Sequence, residues 1–355
     1  MKVAIDISPL KSIHKFRGVG NYTRHLVEAL QRVDKKNEYL LITDCQSLTR
    51  LKPDLVHYPY FDLFWLTLPF KKPYPTLVTV HDLTPLVFPH KFPKGIRGWL
   101  KYQIQRQSLR GAKAIITDSR NSKRDIVKFI GFPEKKIYII HLAADKKFRK
   151  LKTRNLMLIK KKYNLPEKFI LYVGDVNWNK NVPGLIKAFS HFNPPAGGQA
   201  SSLKLVLVGK AFENKDLPET KTILQLIESL GLINQTRILG YVPGEDLVAL
   251  YNLATVYCQP SFYEGFGLPV LEAMACGTPV VAANTSSLPE ICSEAAIMVN
   301  PYDINDIAEG IGKVIGDKII RDRLVKKGLV QAKKFSWEKT AKETIKVYHG
   351  VLKRK

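Results

Sequence analysis

Short runs of β-branched and aliphatic residues recur along this chain, each separated from the next by a helical pattern or a turn. Strands that alternate with helices imply a parallel sheet covered by helices on both faces. In the first half the runs are Val3–Ile7, Tyr39–Thr43, Leu55–Tyr58, Thr76–Val80, Ala114–Thr117 and Ile137–Ile140. Helical spacing fits Tyr22–Val33, with Leu26, Val27 and Leu30 inward, and also Gly95–Arg110 and Asn121–Phe129. Residues from Lys146 to Lys162 are rich in Lys and Arg and carry no strand signal, which places a linker there, ending near Pro166. The pattern then restarts with Phe169–Val173, Leu203–Val208, Arg237–Leu239, Thr255–Gln259, Pro279–Ala282 and Ala296–Val299. Helices are expected over Val182–Phe189, Asp303–Ile315, Arg321–Lys333 and Ser336–Leu352, and Pro194-Pro195-Ala196-Gly197-Gly198 reads as a turn-rich surface loop.

A length of 355 residues suits two domains. The expected class is α/β, with two Rossmann-like doubly wound domains, 1–160 and 161–335, facing across a cleft. Ligands of open α/β sheets bind beyond the carboxyl ends of the strands. The loops that follow strands are therefore the places to search for chemistry.

Met1-Lys2 runs straight into Val3-Ala4-Ile5-Asp6, an apolar run too short for a signal core, and no stretch approaches the ~18 apolar residues of a bilayer span. Cys45, Cys258, Cys276 and Cys292 show neither metal nor disulfide spacing, and Cys258 and Cys276 sit in apolar segments as core thiols. A reducing cytoplasm is the expected compartment. Charge is uneven: residues 1–160 hold 32 Lys and Arg against 12 Asp and Glu, and residues 161–355 hold 24 against 19. A basic half attracts polyanions, such as anionic lipid, nucleic acid or a phosphorylated substrate, unless its charge serves solubility alone. Peripheral attachment to the inner face of the plasma membrane is one expectation. Lys91–Lys113 carries that basic character together with Ile96, Trp99, Leu100, Tyr102 and Ile104, and reads either as a membrane-surface helix or as a core helix with a solvated basic face. Phe61, Phe64, Trp65 and Phe70 form an aromatic cluster that lines an acceptor groove or belongs to the core.

The strongest motif is Glu264-Gly265-Phe266-Gly267-Leu268-Pro269-Val270-Leu271-Glu272, after the strand Thr255–Gln259 and the turn Pro260-Ser261. Pro269 fits the first turn of a helix. The glycines let backbone amides approach a ligand, and amides at a helix start favour a phosphate. Each carboxylate is able to accept hydrogen bonds from a pair of sugar hydroxyls. A glycosidase acid/base pair is the competing use of two glutamates, but a hydrolase has no need of a phosphate-friendly loop between them.

Glu264 through Glu272, continuing Ala273-Met274-Ala275-Cys276-Gly277-Thr278-Pro279-Val280-Val281, resembles the E-x7-E region of the large retaining glycosyltransferase family that includes bacterial mannosyltransferases and sucrose synthase. The resemblance covers nearly the whole chain and implies the two-Rossmann GT-B fold. It also implies that 336–355 packs back on the first domain. By the same resemblance Glu264 holds donor-sugar hydroxyls, Glu272 holds the ribose hydroxyls, and the amides of Gly265, Phe266, Gly267 and Leu268 contact sugar and diphosphate.

The segment Gly174–Asn181 follows the strand Phe169–Val173, and Lys180 in it is placed to neutralise a leaving diphosphate. Asp175 and Asn179 stand where the resemblance often puts arginine, so one phosphate clamp is either absent or supplied by another basic group. His81, followed by Asp82, ends the strand Thr76–Val80, where the family's histidine touches the donor sugar near the reacting carbon. Gly18 and Gly20 resemble the family's N-terminal glycine loop, with Arg17 beside them a candidate for an acceptor phosphate. Gly240-Tyr241-Val242 matches the position that receives the nucleotide base, mostly by backbone.

The expected reaction is transfer of a hexose from a nucleoside diphosphate sugar to a glycan or lipid-linked hydroxyl, with retention implied by the resemblance. His81, Lys180 and Glu264 are the catalytic candidates. The nucleotide sugar is a co-substrate, and without an Asp-x-Asp motif no metal or other cofactor is expected. The stretch His81-Asp82-Leu83-Thr84-Pro85-Leu86 resembles bacterial mannosyltransferases of surface polysaccharide assembly, which makes GDP-mannose the first donor, ahead of UDP-sugars. A sugar-nucleotide epimerase and a non-catalytic polyanion binder are the rivals. No nucleic-acid module appears, so no nucleic-acid partner is expected. The sequence does not specify the oligomeric state.

Overall fold

The computed structural model describes residues 1–12, 18–192 and 202–353. Arg17 and the turn-rich segment 194–198 lie outside them. The chain divides into two compact units, Met1–Ala143 with Phe335–Lys355, and Ala144–Lys334. The basic stretch read as a linker belongs to the second unit and carries a helix, Thr153–Lys162. A search for strand periodicity alone passes over such a helix. Helices Pro218–Ser229 and Gly244–Leu253 were likewise not anticipated.

The first unit is built on β1 (Lys2–Asp6), β2 (Glu38–Ile42), β3 (Leu55–Tyr58), β4 (Thr76–Thr79), β5 (Ala114–Thr117) and β6 (Ile137–Ile139). They form one sheet in the order β2-β1-β3-β4-β5-β6, with every pair parallel. The second unit is built on β7 (Lys168–Val173), β8 (Leu203–Val208), β9 (Thr236–Leu239), β10 (Val256–Gln259), β11 (Val280–Ala283) and β12 (Ile297–Val299). Their order is β12-β11-β10-β7-β8-β9, again all parallel. All twelve strands fall where the sequence periodicity puts them. Both orders are doubly wound, and the second reverses direction between β7 and β10, the crevice where such folds take ligands.

Burial on both faces is why the strands read as continuous apolar runs. All four residues of β3, β4, β5, β10 and β11 are buried. One core gathers Ala4, Val56, Val78 and Ile115 with Leu109 and Ile126, and the other gathers Ile170, Leu205, Val256 and Val281 with Leu185 and Ile311. Each of these Val, Leu and Ile side chains contributes about 1.5–3 kcal/mol by leaving water.

The last helix, Trp337–Lys353, packs on Gly18–Val33 within the first unit. Trp337 stacks on His25 with ring centroids 5.0 Å apart, and Arg32 reaches Glu338 at 2.8 Å. Deeper in, the Tyr348 hydroxyl lies 2.7 Å from Nδ1 of the fully buried His57, whose Nε2 is 2.8 Å from the Thr79 hydroxyl. No helix among the described residues is long and apolar enough to cross a membrane.

Candidate active site

In the second unit the loops after β7 and β10 meet at the switch point. Lys180 donates to both oxygens of Glu264, at 2.9 and 2.7 Å. Glu264 is buried, and its Oε1 also accepts from Gln259 Nε2 and Ser261 Oγ, each at 2.7 Å. Its main chain is fixed as well: the Glu264 N–H donates to Ser286 Oγ, and Ser287 Oγ donates to the carbonyls of Glu264 and Phe266.

The neighbours of Lys180 explain how the ammonium is aimed. Asn181 takes a left-handed backbone, φ +53°, which asparagine tolerates better than most residues. Its Oδ1 accepts from the N–H of Gly184, and its Nδ2 donates to the carbonyls of Pro260 at 3.0 Å and Pro301 at 2.8 Å. Asn179 Nδ2 donates to Tyr263 O, and the Phe262 N–H returns a bond to Asn179 O. Asn179 is thus a buried latch between the loops. Trp178, Phe262 and Tyr302 stack in a ladder with centroid spacings of 4.7 and 4.8 Å. Gly174, at the head of the first loop, lies against Gly209, where a Cβ would approach the Gly174 carbonyl to 2.0 Å.

The motif's helix spans Leu268–Cys276, with Pro269 in its first turn. Gly267 caps it at φ +106°, and a Cβ there would sit 2.7 Å from Leu288 Cδ2, so both backbone and space require glycine. The first-turn amides have no carbonyl four residues earlier within the helix and present a partial positive charge. Gly265, Phe266 and Leu268 flank this capped start. Glu272 lies one turn further on, where its Oε2 accepts from Tyr251 OH at 2.9 Å. Glu272 keeps some exposed surface, yet the protein packed round its carboxyl pushes its pKa up to about 7, against the Tyr251 hydrogen bond and the charge of Lys147. At Gly240-Tyr241-Val242 the Tyr241 N–H already donates to Glu213 Oε1 at 2.6 Å, while the Tyr241 ring is exposed and Val242 buried.

In the first unit His81 follows β4, and strand order decides its partners. β4 lies between β3 and β5, and the residues past their ends, Pro59 and Asp118, take the two ring nitrogens. Nδ1 donates to Asp118 Oδ2 at 2.7 Å and Nε2 to Pro59 O at 3.2 Å. A neutral imidazole has one N–H, so only the imidazolium satisfies both acceptors. Burial opposes that charge, but Asp118 and the other acceptors prevail and the His81 pKa is raised. Burial also raises the pKa of Asp118 despite the ring; the proton belongs on the ring, because Nε2 has an acceptor too. The carboxylate next in sequence turns elsewhere, and Asp82 Oδ1 accepts from the Thr84 N–H. Tyr22 meets the His81 ring edge-on, centroids 4.6 Å apart. Gly18 opens the helix Gly18–Val33, exposed and with nothing within 4 Å of an added Cβ, and Gly20 is buried in its first turn.

Asp118, Asn181, Gln259 and the Ser286-Ser287 pair escaped the sequence reading. Each is a polar residue at or just beyond the carboxyl end of a strand, or at a helix start. That position is the signal that would have found them.

Two family models match, glycosyl transferases group 1 over residues 157–331 and glycosyltransferase family 4 over residues 39–148. The O-antigen chain mannosyltransferase B of Escherichia coli is 33% identical over 273 residues, which cover 77% of this chain and 69% of that protein. The chain belongs to the group 1 glycosyltransferases. The serotype-specific mannosyltransferase WbdA of Escherichia coli is 30% identical over 315 residues, 86% of this chain, and the match spans only 38% of WbdA's length. Among solved structures, sucrose-phosphate synthase from Thermosynechococcus elongatus superposes with a TM-score of 0.78 at 21% identity, over 100% of both chains. That likeness establishes the GT-B fold for this glycosyltransferase.

Proposed function

We propose that this glycosyltransferase moves mannose from GDP-mannose to a hydroxyl of a growing surface glycan or its lipid-linked precursor, with retention at the anomeric carbon. The observation that carries the reading is the convergence of Lys180, Glu264 and the Gly267-capped helix start at the β7/β10 switch point. A cation and helix-start amides suit a diphosphate. A buried carboxylate with fixed partners suits sugar hydroxyls. The mannosyltransferase names of the two relatives favour mannose.

In this reading the donor diphosphate lies against the amides of Gly265–Leu268, with Gly174 giving backbone access. An ammonium has three N–H donors, so Lys180 is able to hold Glu264 and meet the leaving phosphate together. Charge building on the diphosphate as the glycosidic bond breaks is stabilised there, where such donors act most strongly. Glu264 orients the sugar and Glu272 accepts from the ribose hydroxyls; in the first unit the His81 imidazolium is the candidate catalytic cation. No metal and no covalent enzyme intermediate is assigned.

The test is a transfer assay with GDP-mannose, UDP-glucose and UDP-N-acetylglucosamine and a lipid-linked acceptor, with the product's anomeric configuration read by NMR. The expected product is α-mannosyl, with turnover lowered on the order of 10²-fold in Glu264→Gln. Product from a UDP-sugar alone would move the donor assignment, and wild-type turnover in the variant would refute the role of Glu264.

A further inference from the structure

The helix Gly95–Arg110 is held to the first unit by Tyr102, Gln105, Ser108 and Leu109, all buried. Gln105 Oε1 accepts from the Thr67 N–H, the Thr67 hydroxyl and the Leu68 N–H, so the loop 63–70 is pinned along the helix. Lys101 Nζ lies 4.7 Å over the Trp65 ring, and Phe64 passes close to Gly98. The face of the helix turned away from the core should then be polar.

It is not. Ile96, Leu100 and Ile104 follow one another at four-residue spacing along that face, with Trp99 beside them, and the pinned loop adds Trp65, Leu66 and Phe70. Exposure of these seven side chains runs from 47% to 81%. Together they leave far more apolar surface in water than scattered single residues do. From Asp62 to Lys113 the sequence holds nine Lys and Arg and two acidic residues, Asp62 and Asp82, whose carboxylates are engaged by the main-chain amides of Phe64 and Trp65 and of Thr84. Lys71 and Arg97 are exposed among the apolar residues.

We propose that this face docks on an anionic lipid bilayer. Indole and aliphatic side chains would enter the boundary between headgroups and acyl chains, while Lys71, Arg97 and Lys101 meet lipid phosphates. Charge decides the occupant. A second copy of the chain would set Lys71, Arg97 and Lys101 against the same three cations, whereas an anionic headgroup layer neutralises them. Tryptophan at headgroup depth between basic residues is the composition such interfacial helices use.

The experiment is flotation of the full chain with phosphatidylcholine vesicles, with and without phosphatidylglycerol. Binding is expected only with phosphatidylglycerol at low salt, with loss near roughly 0.5 M salt as screening shortens. Replacing Ile96, Trp99 and Leu100 by serine should cut the bound fraction at least about tenfold, with circular dichroism and melting temperature unchanged because all three are exposed. Lipids brominated on the acyl chain then locate the contact. They should quench tryptophan emission in the wild type, and the double variant Trp65→Phe/Trp99→Phe should still bind but lose most of that quenching, since Trp337 is buried and Trp178 lies in the other unit. No binding at low salt, undiminished quenching in the double variant, or dimerisation that hides the face from vesicles would each overturn the proposal.

Discussion

Lys180 donates to both carboxylate oxygens of Glu264 and thereby ties the loop after β7 to the loop after β10. Both side chains are largely sheltered, and a buried charge that loses its partner is costly. Lys180→Ala should destabilise the protein by about 3 kcal/mol. Adding Glu264→Gln should recover part of that loss, giving a coupling of about 1–3 kcal/mol in a double-mutant cycle. Urea unfolding of the four proteins measures it. Strict additivity would mean that the pair is not coupled in solution.

The charge on His81 depends on Asp118. Asp118→Asn keeps the shape of the contact and removes the anion, so the His81 pKa should fall toward or below 6.5, the ordinary value. Because the wild-type pKa is raised, the stability it brings is present below pH 6.5 and fades as pH rises through the folded-state value. An NMR titration of the His81 ring in both proteins gives the answer without any activity assay. Identical titration curves would remove Asp118 as the cause.

At Glu272 a carboxyl with an ordinary value of 4.5 is pushed up to about 7. The folded state then binds the extra proton between those values, so stability falls as pH rises from about 4.5 to 7, by at most about 3 kcal/mol. Glu272→Gln should flatten that slope and gain relative to wild type at pH 8. If ribose hydroxyls bond the ionised carboxylate, nucleotide affinity should rise from pH 6 to pH 8 in the wild type and stay level in the variant. Calorimetry at the three values of pH 6, 7 and 8 checks both signs, with pH chosen on either side of that titration.

His57 works in the opposite sense. Burial depresses its pKa to about 3, so its contribution is present above pH 6.5 and is lost as pH falls through the acid range, at up to about 1.4 kcal/mol per pH unit. This opposes the Glu272 effect, so differences between variants are diagnostic and the wild-type profile is not. Tyr348→Phe strands Nδ1 of His57 and should cost about 1–3 kcal/mol. A loss below 0.5 kcal/mol in urea unfolding, well under the ordinary penalty for a stranded buried group, would mean that the last helix is not anchored there.

Strands were legible because a two-faced parallel sheet writes continuous apolar runs, as at Ile170-Leu171-Tyr172 and Val280-Val281-Ala282. Glu264–Glu272 was legible because its spacing combines two glycines, a first-turn proline and two carboxylates. Asp118 was not, because its partner His81 is 37 residues away and only the adjacency of β4 and β5 joins them. Nor was the latch made by Asn179 and Asn181, since asparagines in a loop carry no signal until the carbonyls they meet are in place. The aromatic cluster divides: Phe61 is core, while Trp65 and Phe70 are exposed. The same holds on the basic helix, where Tyr102 is buried and Ile96, Trp99, Leu100 and Ile104 are not.

Binding of a nucleoside diphosphate sugar at the β7/β10 switch point is the central claim. Melting curves with GDP, UDP, ADP, GDP-mannose and UDP-glucose test it most directly, because a ligand of the folded state adds about 2.7 kcal/mol at a hundred times its Kd. The predicted result is a raised Tm with guanine nucleotides above the others, lost in Glu272→Ala. A well-folded protein whose Tm responds to none of the five would contradict it.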